Sequence, residues 1–172
     1  MKTKRIAYVG ILAAMCAVLG YLAIDIQIIK FTLESFPVIF AAYVFGPGNG
    51  MLVGLIGTTI YQLLKYGVSA TTLLWILPYV ICGLLVGLYC KAKDFKCTKG
   101  QSVFLAIAGE LIIMILNTPV MYLDSKMYGY YFEGYISVNL PYRFLLALAK
   151  GIVFGLFIPA LSKSINAKSL RK

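Results

Sequence analysis

The sequence predicts an all-α integral membrane protein, six transmembrane helices in one compact bundle with both termini in the cytoplasm. Three observations predict it. Of the 172 residues, 61% are hydrophobic and only 13% charged, with a mean hydropathy of +0.88, more apolar surface than a soluble domain of this size can hide. The apolar residues fall into runs of spanning length, since a bilayer core takes roughly 20 residues of helix. The charges, 16 Lys and Arg against 6 Asp and Glu, sit in short islands between those runs. A nucleic-acid binder would show a basic stripe on a polar fold, so the islands read instead as an orientation signal.

The first span covers residues 6–24. MKTKRIAYVGILAAMC has the basic start and apolar run of a signal peptide, and Cys16 suggests a lipoprotein. Met15 is large where processing needs a small residue, however, and the run continues to Ile24, so this is read as a retained helix. Residues 72–90, 103–123 and 141–162 are equally apolar and long enough to cross.

Residues 36–64 are harder, being too long for one span and short for two. Charge decides between these readings. If the glycine-rich FGPGNG stretch reverses the chain, giving spans at 36–46 and 50–64, one side collects Lys2, Lys4 and Arg5, then Lys91, Lys93, Lys96 and Lys99, then Lys163, Lys168, Arg171 and Lys172. The other side holds only Lys30, Lys65 and Lys126, beside Asp25, Glu34, Asp124 and Glu133. That asymmetry satisfies the positive-inside rule, whereas a single broken span would turn the 91–99 loop and the tail outward. Pro47 and its flanking glycines supply the turn. No Lys-Ser/Thr follows them to make a P-loop, and Val53 stands where a dinucleotide fingerprint needs its third glycine.

Four cysteines without CxxC spacing, in a chain with no histidine, offer no zinc or haem set, and no cofactor is expected. Small residues recur four apart at Gly10/Ala14, Ala13/Ala17, Gly46/Gly50/Gly54, Gly83/Gly87 and Gly151/Gly155. Such faces let helix backbones approach closely in lipid, generally inside one bundle. With two offset pairs, the first helix is additionally expected to present a docking face to another subunit.

Ionisable and amide groups at membrane depth are functional or paired. Glu110 and Lys150 lie at depths compatible with an ion pair or with ligand contact, and Asn117 and Arg143 lie nearer the outer end. Tyr61, Gln62, Lys65 and Trp75 stand at the outer ends of the third and fourth spans. Singly, the aromatics fit an interfacial belt and Arg143 fits snorkelling to headgroups. Together with Tyr131 they outline an outward-facing cavity suited to a flat heteroaromatic ligand bearing an acid group. Two outer loops are candidate lids: DIQIIKFTLES, which alternates polar and apolar residues and is too apolar for a free linker, and the tyrosine-rich DSKMYGYYFEGYISVN.

At this point the chain resembles the substrate-binding S components of energy-coupling-factor (ECF) vitamin transporters, over essentially its whole length. The resemblance rests on the basic start before ILAAMCAVLG, the FPVIFAAYVFGPGNGMLVGLIG hairpin and the NTPVMYLDSKMYGYY segment, and FPVIFAAYVFGP looks most like folate-type members. Folate-type relatives often carry an acidic residue after the hairpin glycines, where this chain has Thr58, Thr59 and Ile60. Folate is therefore the first expectation, followed by queuosine-type precursors, riboflavin, pantothenate and cobalamin-related compounds. The resemblance implies a multi-pass protein of a bacterial plasma membrane that captures a vitamin outside and delivers it through a T subunit and two cytosolic ATPases. Ala13 and Ala17 match the family's small-residue contact for that T subunit. Rival classes are a membrane-embedded enzyme using Glu110 or Asp124 as acid or base, which lacks a second carboxylate in the same span, and an assembly subunit with no ligand. A channel would need rings of charge or a filter segment, and neither appears.

Overall fold

The computed structural model describes residues 2–26 and 29–165. Lys168, Arg171 and Lys172 of the basic tail and Gln27 and Ile28 of the loop after α1 lie outside the described residues, as do the side chains of Lys2, Asp25 and Lys30. In chain order the elements are α1 (Lys2–Tyr21), β1 (Ile24–Ile26), β2 (Ile29–Phe31), α2 (Ser35–Phe45), α3 (Pro47–Tyr66), α4 (Thr72–Ala92), α5 (Lys99–Met127) and α6 (Tyr135–Ser164).

The organising element is the shortest helix. α2, SFPVIFAAYVF, is apolar on every face, and all of its residues except Phe36 are buried, as a helix enclosed by other helices must be. It packs against all five neighbours. Its 11 residues make a rod about 16 Å long, roughly half of a ~30 Å hydrocarbon core. Among the described residues, α1, α4, α5 and α6 are long and apolar enough to cross a membrane. α3 has 20 residues but is rich in Gly and Thr. Six separate rods are present among the described residues, with α2 too short to be a full span by itself.

The α2–α3 turn is tighter than the sequence suggests. Gly46 alone separates the two helices, at φ +88°, a left-handed value that favours glycine. Pro47 opens α3 at the position where its missing N–H is not needed. The last carbonyl of α2, on Phe45, accepts from Arg5 Nη2 at 3.0 Å and from Asn49 Nδ2 at 2.8 Å. A Cβ on Gly50 would stand 2.9 Å from Ala42 Cα. In one straight helix those residues would be about 12 Å apart, so the chain does reverse here.

Small residues carry the remaining close approaches. Cβ atoms on Gly83 and Gly87 would meet the backbone of Gly50 and Pro47 at 2.5 and 2.4 Å, and those on Gly151 and Gly155 would meet Ile107 and Val103 Cα at 2.6 and 2.3 Å. At one end of the bundle, Arg5 reaches Phe45 and the ring of Phe95 packs on Gly46, joining the start of α1, the α2–α3 bend and the α4–α5 turn. α5 starts at Lys99, earlier than its apolar run, because Thr98 and Gln101 form a reciprocal capping box.

The other end holds an element that helix counting does not foresee. β1 and β2 form an antiparallel ribbon, Ile24 opposite Phe31 and Asp25 opposite Lys30, in the loop whose alternating pattern marked it as more than a linker. β2 packs on α6.

Candidate functional site

A cavity of about 340 Å³ opens in the half of the bundle that α2 does not reach; Glu34, immediately before α2, is in its wall. Two helical stripes supply most of the lining. On α5, Glu110, Ile113, Met114, Asn117 and Met121 recur at three- and four-residue intervals; on α6, Tyr135, Asn139, Arg143, Ala147 and Lys150 do the same. Both patterns keep side chains on one face of a 3.6-residue helix. α3 adds Gln62 and Tyr66, α4 adds Trp75 and Tyr79 one turn apart, and the exit of the ribbon adds Phe31 and Thr32.

The charges in the wall are arranged in opposition. Lys150 Nζ lies 2.6 Å from Glu110 Oε2, and Glu110 is only 2% exposed. The same ammonium donates to the Thr32 carbonyl at 3.4 Å, tying the ribbon's exit to α6. The Glu34 carboxylate accepts from the Tyr79 hydroxyl. Among the described residues, Arg143 makes long contacts, to Thr118 Oγ1 and Met121 Sδ at 3.4 Å and the Met114 carbonyl at 3.5 Å. Asn117 is 7% exposed and its Oδ1 has no partner among the described residues. A buried amide oxygen without a donor is costly unless something else supplies one.

Above this chamber lies a second space of about 560 Å³, walled by Val68, Ser69, Asp124 and Tyr128 together with Gln62, Tyr66, Trp75 and Tyr130. The last four also line the inner cavity, so they form the neck between the two. Burial raises the Tyr130 phenol above its ordinary pKa, and its hydrogen bond to Asp124 and that residue's charge push the same way.

Of the residues expected at the site, Gln62, Trp75, Asn117 and Arg143 share the cavity wall. Tyr61, Lys65 and Tyr131 are not among its described lining residues, each for a local reason. Tyr61, next to Gln62 but turned about 100° from it, is fully buried against Gly20 of α1, its hydroxyl reaching Tyr66 at 3.4 Å. Lys65 places its ammonium 5.8 Å from the Tyr66 ring centre. Tyr131 sits edge-on to Tyr122 with the Lys126 ammonium 4.2 Å over its face. On α1, Ala13 and Ala17 are buried within the chain, with Gly57 of α3 packed on Ala13 and Cys16. Gly10 and Ala14 face outward. Glu34, Tyr79, Asn139 and Tyr135 were missed; Tyr79 four residues after Trp75, and Asn139 and Tyr135 four and eight before Arg143, were the available signal. Among the described residues no group of Cys, Asp and Glu gathers as a metal site.

A bundle of apolar helices with a polar, aromatic-walled chamber adjoining a second space, the vestibule, has the form of a small-molecule binding subunit. The fold is that of a solved relative in this class, the crystal structure of "the S-component for biotin from an ECF-type ABC transporter", with a TM-score of 0.71, 16% sequence identity, and 94% of this chain covering 92% of that one. The chain belongs to the family described as ECF-type riboflavin transporter, S component, which it matches over residues 1–163. It is thus an S component by family and by fold, in a lineage of transporters rather than enzymes. The folate leaning finds no support in either comparison. A comparison with curated proteins gave no match.

Proposed function

We propose that this protein captures an uncharged, flat heteroaromatic vitamin, riboflavin in the first place, from the outer side of the membrane. On this reading it delivers the vitamin inward through a T subunit and two ATPases. The family description supports the substrate, and the cavity wall supports its chemical class. Trp75, Tyr79, Tyr130 and Tyr135 offer ring faces and edges, while Gln62, Asn117 and Asn139 offer amides for ring carbonyls, imides and hydroxyls. Two carboxylates, Glu34 and Glu110, stand with two cations, Arg143 and Lys150, so a neutral guest leaves the charge balanced where an anionic one does not. The observation that carries the proposal is Asn117, which lines a chamber of ligand size and whose buried Oδ1 has no donor among the described residues.

A second reading, an acid-bearing vitamin such as folate, is favoured by the long contacts of the Arg143 guanidinium. Both readings use the six-crossing topology with cytoplasmic termini, and in both the exit of the ribbon, at Phe31 and Thr32, forms part of the chamber wall. The test is titration of the purified protein with riboflavin, followed by quenching of flavin fluorescence, alongside folate, pantothenate and biotin by calorimetry. Saturable riboflavin binding at one site per chain is expected, and mass spectrometry of small molecules that co-purify should identify a flavin. Tight folate binding without riboflavin binding would select the second reading, and no binding to any of the panel would overturn both.

A further inference from the structure

Asp124 has no part in the ligand contacts described above, yet it sits where the outer vestibule narrows into the inner cavity. Its carboxylate gathers three donors from two elements. Oδ1 accepts from the Thr71 hydroxyl and, at 3.3 Å, from the Trp75 indole N–H; Oδ2 accepts from the Tyr130 hydroxyl. Thr71 stands at the start of α4, Trp75 lies one turn inside it, and Tyr130 belongs to the α5–α6 loop. Two of the four neck residues, Trp75 and Tyr130, are therefore held by one side chain that lines the vestibule but not the inner cavity. Thr71 is nearly fully buried and braced by Ser69 Oγ at 3.2 Å, so the α4 side of the clasp is fixed. The tyrosine side comes from a loop and is exposed. Opening the neck then means parting Tyr130 from Asp124 while Trp75 stays with α4.

We infer that Asp124, on the last turn of α5, is a positioning residue that sets the rate of ligand exchange: it ties Tyr130 of the adjoining α5–α6 loop to the start of α4 at the neck and orients Trp75, without contributing a contact to the bound ligand. The inference rests on the inner cavity being the substrate site. A clasp of this kind resists entry and exit alike. Removing it speeds association and dissociation together, while their ratio, the affinity, changes much less. A residue touching the ligand would behave differently, raising the dissociation rate and the Kd in step.

Trp75 is the sole tryptophan, so its emission reports the neck directly, with or without ligand. Tyr130→Phe keeps the ring and removes the bond to Oδ2; Asp124→Asn removes the charge and one acceptor. In stopped-flow mixing with riboflavin, each variant should accelerate both binding and release about tenfold, the rate equivalent of one charge-assisted hydrogen bond at the lower end of its usual range, with Kd changed less than threefold in Asp124→Asn, which leaves every side chain of the inner cavity wall in place. In the ligand-free protein, acrylamide should quench Trp75 more strongly in Asp124→Asn than in the parent. Unchanged rates and quenching in both variants would overturn the clasp, as would a higher Kd with an unchanged association rate. If the parent binds no riboflavin, the substrate reading fails by itself, and the quenching of Trp75 still decides whether Asp124 holds the neck. Asp124→Glu, which retains the carboxylate, should bring the rates back toward the parent values; failure of both Asp124 variants to fold leaves Tyr130→Phe to decide the matter.

Discussion

The chemistry of the cavity is set by a few side chains whose surroundings determine what each can do. Glu110 and Lys150 are close and largely buried, with side chains 2% and 15% exposed, so each depends on the other more than an exposed pair would. Lys150→Met strands a buried carboxylate and should destabilise the protein by about 3–5 kcal/mol, whereas Glu110→Gln combined with Lys150→Met removes both charges and should recover most of that loss. Thermal unfolding in detergent of the parent, single and double variants measures the difference; equal losses in single and double variants would contradict the pairing. Asn117 is predicted to act on binding rather than on folding. Asn117→Leu relieves the unpaired amide, so melting should hold or rise while riboflavin affinity falls about 10-fold or more, as expected for a lost buried hydrogen bond. A fall in melting temperature with unchanged affinity would make Asn117 a packing residue.

At the level of helices, the glycines test how tightly the rods are pressed together. A Cβ at Gly87 would lie 2.4 Å from the Pro47 backbone, whereas one at Gly100 meets nothing within 4 Å. Gly87→Ala should therefore cost about 1–3 kcal/mol by forcing α4 off the bend. Gly100→Ala in the first turn of α5 should be neutral or stabilising by up to about 1 kcal/mol. Paired melting curves check both. The separate rods, the chain reversal at Gly46 and the clustering of Gln62, Trp75, Asn117 and Arg143 were legible because they follow from length, turn chemistry and polarity against an apolar background. The rotational phase of each helix was not. α2 is apolar all round, and Tyr61 and Gln62 are neighbours in sequence that point to α1 and to the cavity respectively. The same limit hid Tyr79 and the burial of Ala13 and Ala17, because small residues mark a close contact without naming the partner. The ribbon escaped because its described strands are only three residues each, too short for a periodic signal.

For the molecule as a whole, the two ends differ in kind. One end gathers Arg5, the α2–α3 bend and the Lys91–Lys99 turn; the other holds the ribbon, the vestibule and the cavity. The proposed orientation puts the first end in the cytoplasm. Cys97 is the partly exposed cysteine, the other three being buried, so a membrane-impermeant maleimide should leave intact cells unlabelled and label inverted vesicles. Ser69→Cys in a Cys97→Ser background should show the reverse. Labelling of Cys97 from outside intact cells would invert the topology and remove the proposed route of capture. Beyond orientation, the brevity of α2 bears on how such a protein can change its cargo. The chamber exists because one central rod stops halfway, so its volume belongs to the scaffold and its chemistry to the stripes on α5 and α6. Substitutions along those stripes can retune selectivity with the architecture intact, whereas a single extra turn inserted ahead of Ser35 would plug the space whatever the lining.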